Sequence, residues 1–140
     1  MRWFNLDSRS IIVEHYNNPR NKKNIKNSNY LKENTRNSSC IDNLDIYLKL
    51  KNNVIEDIAY DGEACAISIS SASIMSENLK GKTIEEAKLY IENVFNMLNN
   101  LEFDKELIKE AIVYETTKNT SRKTCAWLPY EGIKKIINKI

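Results

Sequence analysis

The chain has 140 residues, 41% of them apolar and 29% charged, with 21 basic against 19 acidic side chains and a net charge of +2. That length suits one domain over residues 1–140, and the charge is too near balance for the strong field of a dedicated nucleic-acid binder. No apolar run exceeds four residues, which excludes a membrane-spanning helix, and the start MRWFNLDSRS lacks the apolar segment of a secretory signal. A cytoplasmic protein is therefore expected, in which three cysteines are buried filler or chemistry rather than a disulfide framework.

In chain order, Ile11, Ile12 and Tyr16 predict a short docking helix from Ser8 to about Asn17, which Pro19 must end. Residues 18–39 hold six basic side chains and one acid with little periodicity, so they read as a long surface connection. Leu44, Ile46, Leu48 and Leu50 then alternate with polar neighbours, and after Asn52-Asn53 a second run covers Val54 to Tyr60. This predicts a hairpin, because asparagine tolerates the positive φ that a tight primed turn requires.

After Cys65 the spacing becomes helical, with Ala66, Ile69, Ala72, Met75 and Leu79 on one side, serines opposite, and Gly81 as a stop. Thr83 and Glu86 form a capping box for a second helix carrying Ile84, Ala87, Ile91, Val94, Phe95 and Leu98. A short amphipathic helix over 103–114, a polar stretch over 115–123 and a closing helix over 130–140 complete the chain. A hairpin followed by helices is an α+β order.

Cys40, Cys65 and Cys125 each fall at a predicted boundary: before the first strand, between second strand and helix, and before the last helix. Helix N-termini and turns favour thiolates. Asp42 follows Cys40 by two residues, which puts both side chains on one side of an extended backbone. Three thiolates and a carboxylate suit zinc or iron better than magnesium or calcium, and Arg122 and Lys123 stand where they can offset the negative charge. Spacing alone also admits three unrelated buried cysteines, since no C-x-x-C pair is present.

Several segments read together narrow that choice: Glu14-His15-Tyr16 with Asn18-Pro19-Arg20-Asn21, Cys40-x-Asp42, Asp61-Gly62-Glu63-Ala64-Cys65-Ala66-Ile67-Ser68, Gly81-Lys82, and Lys123-Thr124-Cys125-Ala126-x-Leu128. From about residue 9 onward the chain resembles the U-type iron-sulfur cluster assembly family, which comprises IscU, SufU and NifU-like N-terminal domains. The resemblance implies an α+β fold with a small antiparallel sheet packed against a helical layer. It also implies a zinc ion held by Cys40, Asp42, Cys65 and Cys125, and a cysteine desulfurase and other assembly proteins as partners.

One branch of the family has a histidine before the last cysteine; Thr124 stands there, as in the zinc-binding SufU branch. The implied activity is zinc-dependent acceptance of persulfide sulfur, with a scaffold for a [2Fe-2S] cluster at the same site as the alternative. Cys40, at the end of the long connection, is the first candidate acceptor. Cys125 is the second, because a helix dipole and Lys123 would lower its pKa. Ile41 and Ala64 replace two family glycines, and with them the backbone freedom glycine gives near a metal.

Three other features invite a role. His15, the sole histidine, is expected to be structural, and the serines lack the histidine and acid that a nucleophile needs. Trp127 and Tyr130, flanking Pro129, suit either core packing or partner docking.

Overall fold

The computed structural model describes residues 2–37 and 41–140. In chain order it has α1 (Arg2–Asn17), β1 (Leu31–Arg36), β2 (Asn43–Lys51), β3 (Val54–Glu63), α2 (Ala66–Leu79), α3 (Ile84–Leu98), α4 (Lys105–Ile108), a 3-10 segment (Lys109–Thr117) and α5 (Lys123–Ile137). The expected α+β class holds. Among the described residues no helix is long and apolar enough to cross a membrane.

The hairpin forms where the alternation places it. Asn52 and Asn53 both take positive φ, 54° and 65°, which matches the twist of the strands they join. The sheet has a third strand, however, in the order β1-β2-β3. The 18–39 segment is not wholly a loop: Leu31 pairs with Leu48 and Arg36 with Asn43, antiparallel. Within LKENTR only Thr35 is buried, so the strand has no apolar alternation to announce it and owes its form to pairing with β2. α1 also begins earlier than expected, at Arg2.

Leu44, Ile46 and Leu48 of β2 and Ile58 and Tyr60 of β3 are fully buried with residues of α2, α3 and α5. α5 crosses the sheet closely at Gly132, where an added Cβ would lie 2.6 Å from Ile46 Cγ1. α2 is buried on every side from Ser68 to Ser76, serines included, and Glu77 beyond them reaches solvent. Small hydroxyls satisfy groups of neighbouring elements: Ser71 donates to the Ala126 carbonyl at 2.6 Å, and Ser70 pairs with the Tyr114 hydroxyl at 2.5 Å. Against the expectation that these serines lack a histidine, Ser73 does meet one, its Oγ 2.7 Å from His15 Nδ1, but the serine is fully buried and open to no substrate.

At the far end of the sheet, the turn between α2 and α3 is stitched to the hairpin tip. Ile55 N–H donates to the Lys82 carbonyl at 2.8 Å, Gly81 N–H to the Ile55 carbonyl at 2.8 Å, and Ile84 N–H to the Asn53 carbonyl at 3.1 Å. Gly81 takes φ +90° there, a conformation costly for other residues. The Thr83–Glu86 capping box forms as predicted. The expected 103–114 helix is instead broken, since Lys109 at φ 48° and ψ −122° separates the single turn of α4 from the 3-10 segment.

The last helix starts at Lys123 rather than 130 and carries Pro129 inside it. Tyr130 is fully buried, whereas Phe95, expected on the core face of α3, is 39% exposed. Trp127 stacks on Tyr130 at 5.6 Å and meets the Phe95 ring edge-on at 5.4 Å.

Candidate metal centre

Three elements converge at the end of the sheet away from the hairpin tip. Asp42 immediately precedes β2, Cys65 is the N-cap of α2, and Cys125 is the third residue of α5. Cys125 thus lies inside the helix's first turn, not before it, because helix geometry holds on both sides of Pro129. Strand register brings the first two together: Asn43 pairs with Glu63, so Asp42 stands beside the chain leaving β3.

There the Cys65 N–H donates to Asp42 Oδ1 at 2.7 Å. The other oxygen, Oδ2, accepts from Ser68 Oγ at 2.9 Å and lies 3.6 Å from Cys65 Sγ. One ligand atom from each of Asp42, Cys65 and Cys125 lies within 4.8 Å of the others. Asp42 and Cys125 are each only 2% exposed. Cys40, the remaining sequence candidate, lies outside the described residues.

Without a metal, the carboxyl and the buried thiol shift in opposite directions. Burial would raise the Asp42 carboxyl, but hydrogen bonds from the Cys65 N–H, Ser68 and the two thiols outweigh it and hold it below its usual range. For Cys125 the balance is opposite: burial first, then Cys65 and Asp42, push its thiol up to about 12, with Arg122 opposing. The expectation that the helix dipole and Lys123 would lower this pKa is therefore not met by the protein groups alone, because desolvation dominates. Arg122 does lie close, its Nη1 4.0 Å from Cys125 Sγ. A divalent cation among these atoms would instead favour the thiolate. A tetrahedral zinc with ordinary bond lengths sets ligand edges of about 3.5 Å between sulfur and oxygen, near the separation of Cys65 Sγ and Asp42 Oδ2. The described donors fit such an ion.

The two replaced glycines are accommodated differently. Ile41 is 79% exposed, and Ala64 is absent from the positive-φ positions, so Ala64 requires no glycine-like backbone. Thr124 turns to the end of β1, where Asn37 Nδ2 donates to its hydroxyl at 3.2 Å. Beside it a cavity of about 310 Å³ opens, lined in part by Arg36, Phe95, Lys123 and Trp127.

Sequence reasoning missed Ser68. Its hydroxyl also lies 3.0 Å from the Cys125 carbonyl, the group that would accept from residue 129 in a regular helix. Proline has no N–H to give. The spacings Cys65-x-x-Ser68 and Cys125-x-x-x-Pro129 were the available signals.

Comparisons with known proteins bear on the family and the fold. The family model described as the NifU-like N terminal domain matches residues 7–126. The zinc-dependent sulfurtransferase SufU of Bacillus subtilis (strain 168) is 35% identical over 140 residues, covering 96% of this chain and 93% of its own. The iron-sulfur cluster assembly scaffold protein IscU of Thermotoga maritima is 28% identical over 138 residues, 98% of this chain and 96% of its own. Among solved structures, FiSufU of Fervidobacterium islandicum superposes with a TM-score of 0.86 at 29% identity, covering 91% of this chain and 93% of its own. A NifU-like protein of Brucella abortus shares the fold at TM-score 0.84 and 21% identity.

Proposed function

The chain belongs to the NifU-like N-terminal domain family, and from that premise we propose that it works in iron-sulfur cluster assembly as a SufU-like, zinc-dependent sulfur acceptor. Its single domain takes persulfide sulfur from a cysteine desulfurase. The observation that carries this reading is the convergence of Asp42, Cys65 and Cys125 donor atoms within 4.8 Å, with Thr124 at the position where another branch has histidine. The similarity to the Bacillus SufU over nearly the whole chain supports the same choice.

In this proposal Asp42, Cys65 and Cys125 would hold the ion together with Cys40. When bound there, zinc would keep the thiols deprotonated near neutral pH and protect them from oxidation. Were a desulfurase side chain to take its place in the ligand set, the Cys40 thiolate would be free to react. That thiolate attacks the terminal sulfur of the partner's persulfide, the partner's S–S bond breaks, and its cysteine leaves as a thiolate, so the persulfide moves with no net oxidation. Ser68 and the Cys65 N–H keep Asp42 in place meanwhile. Cys125 is the second candidate acceptor, but its burial disfavours direct attack.

The second reading, a scaffold for a [2Fe-2S] cluster, uses the same ligands and is favoured by the similarity to the Thermotoga IscU. Anaerobic purification, metal analysis, and sulfide release from cysteine by the desulfurase distinguish the two. Bound zinc and stimulated turnover that Cys40→Ala abolishes are expected. A coloured iron-sulfur species with no stimulation would replace the acceptor reading with the scaffold.

A further inference from the structure

His15, the sole histidine of the chain, is anchored and aimed in a way its packing does not require. Its side chain is 4% exposed. Nδ1 is held by Ser73 Oγ at 2.7 Å, and Ser73 in turn accepts the Arg20 N–H at 2.9 Å. The other nitrogen, Nε2, makes no hydrogen bond among the described residues. It faces Glu77 Oε1 and Glu110 Oε1, each at 3.8 Å, too far for a hydrogen bond.

These three side chains come from α1, α2 and the 3-10 segment, and one ligand atom from each lies within 4.8 Å of the others. With metal–ligand bonds of about 2.1 Å, atoms 3.8 Å apart subtend about 130° at a common ion, an angle open coordination spheres accept. Glu77 and Glu110 are 42% and 46% exposed, so water can complete the sphere from the outer side.

Charge fits a divalent ion. Glu14, Glu77 and Glu110 surround the imidazole and Arg20 is the nearby cation, leaving two net negative charges. Arg20 also orients the site: its Nη2 lies 3.1 Å from Glu14 Oε2 and its Nε 3.7 Å from Glu77 Oε2, so the Glu77 oxygen turned to His15 is the free one. Burial and Arg20 lower the His15 pKa against the three glutamates, which keeps the imidazole neutral and its lone pair available near pH 7. The Nδ1 bond to Ser73 is the kind of outer contact that fixes a ligating histidine.

We propose that His15, Glu77 and Glu110 form a second metal site, for a divalent first-row transition ion that accepts one imidazole and two carboxylates, such as Mn2+, Fe2+ or Zn2+. A neutral imidazole donor argues against Mg2+ and Ca2+. The site is separate from the cysteines: Glu77 lies twelve residues after Cys65 along α2, about 18 Å of helix.

The test uses the full chain with its cysteine centre first supplied with one equivalent of Zn2+, followed by titration with Mn2+. The single histidine gives an unambiguous NMR readout. The His15 imidazole resonances are expected to broaden at substoichiometric Mn2+, and Glu110→Gln, a change at a half-exposed position, to weaken this by at least about tenfold with folding and zinc content unchanged. Unbroadened His15 resonances at a large excess of Mn2+, or equal broadening in Glu110→Gln, would overturn the site. Failure of the cysteines to retain zinc would instead count against the sulfur-acceptor reading and leave the His15 readout valid.

Discussion

Ser68 and Cys125 are joined by a hydroxyl-to-carbonyl contact of 3.0 Å at the carbonyl that Pro129 leaves without a helical donor. The same hydroxyl lies 2.9 Å from Asp42 Oδ2, so one buried serine ties the ends of β2 and α5 to the start of α2. Ser68→Ala is expected to cost about 1–3 kcal/mol in urea unfolding, the range for a buried polar group left unpaired, and about tenfold in zinc affinity by chelator competition. In a Pro129→Ala background, which returns an N–H to the Cys125 carbonyl, the stability loss is expected to shrink. Equal losses in both backgrounds would show that the carbonyl contact contributes nothing.

The two described cysteines should differ in reactivity once metal is removed by a chelator. Cys125 is 2% exposed with its thiol pushed up to about 12, whereas Cys65 is half-buried at a helix N-terminus. Iodoacetamide at pH 8, followed by mass spectrometry of tryptic peptides, is expected to modify Cys65 well before Cys125. Zinc should protect both, and restoring it should raise the unfolding midpoint, because only the folded chain assembles the site.

His15 makes acid stability readable. Desolvation and Arg20 lower its pKa below 6.5 in the fold, against the raising effect of Glu110, Glu77 and Glu14. Between the folded value and 6.5 the unfolded chain binds more protons, so stability is full above that window and falls as pH drops through it. NMR titration of the single imidazole should give a midpoint below 6.5. In chelator-treated protein, His15→Gln should flatten the loss of stability below that pH; an unchanged slope would assign it to other groups.

Close approach of α5 to the sheet gives a packing test. Gly132→Ala would set a methyl 2.6 Å from Ile46 Cγ1 and 3.2 Å from Thr35 Cγ2. A destabilisation of about 1–3 kcal/mol is expected from overpacking, despite the better helix propensity of alanine. A stabilised variant would mean that the helix can lift off the strands without cost.

Much of this was legible in the sequence where a local rule had no tertiary rival. The Asn52-Asn53 turn, the Thr83 capping box and the amphipathic face of α3 each depend on a few adjacent residues. β1 was not legible, because LKENTR buries only Thr35 and becomes a strand through its partner. The start of α5 was obscured by Pro129; the Cys125 carbonyl it leaves without a helical donor is approached by Ser68, 61 positions before Pro129 in the sequence, whose single hydroxyl proton is also claimed by Asp42. Asp42, Cys65 and Cys125 were identifiable by type and order, but the rise in the Cys125 pKa depends on burial, which no neighbour in the sequence reports.

The hairpin register has a consequence for how this centre tolerates change in length. Asp42 and Cys65 are 23 residues apart, yet they meet at 2.7 Å because the Asn52-Asn53 turn, together with the one-residue shift where pairing passes from Leu50 with Ile55 to Lys49 with Asp57, fixes which residue of β3 faces which residue of β2. The stitched turn between α2 and α3 anchors that tip from the other side. Adding or removing a single residue in the loop would slide every pair, turn Ile58 and Tyr60 toward the wrong face, and carry Cys65 away from Asp42. The loop is thus a ruler for the ligands, and its length belongs to the metal-binding motif as strictly as the spacing of two neighbouring cysteines would.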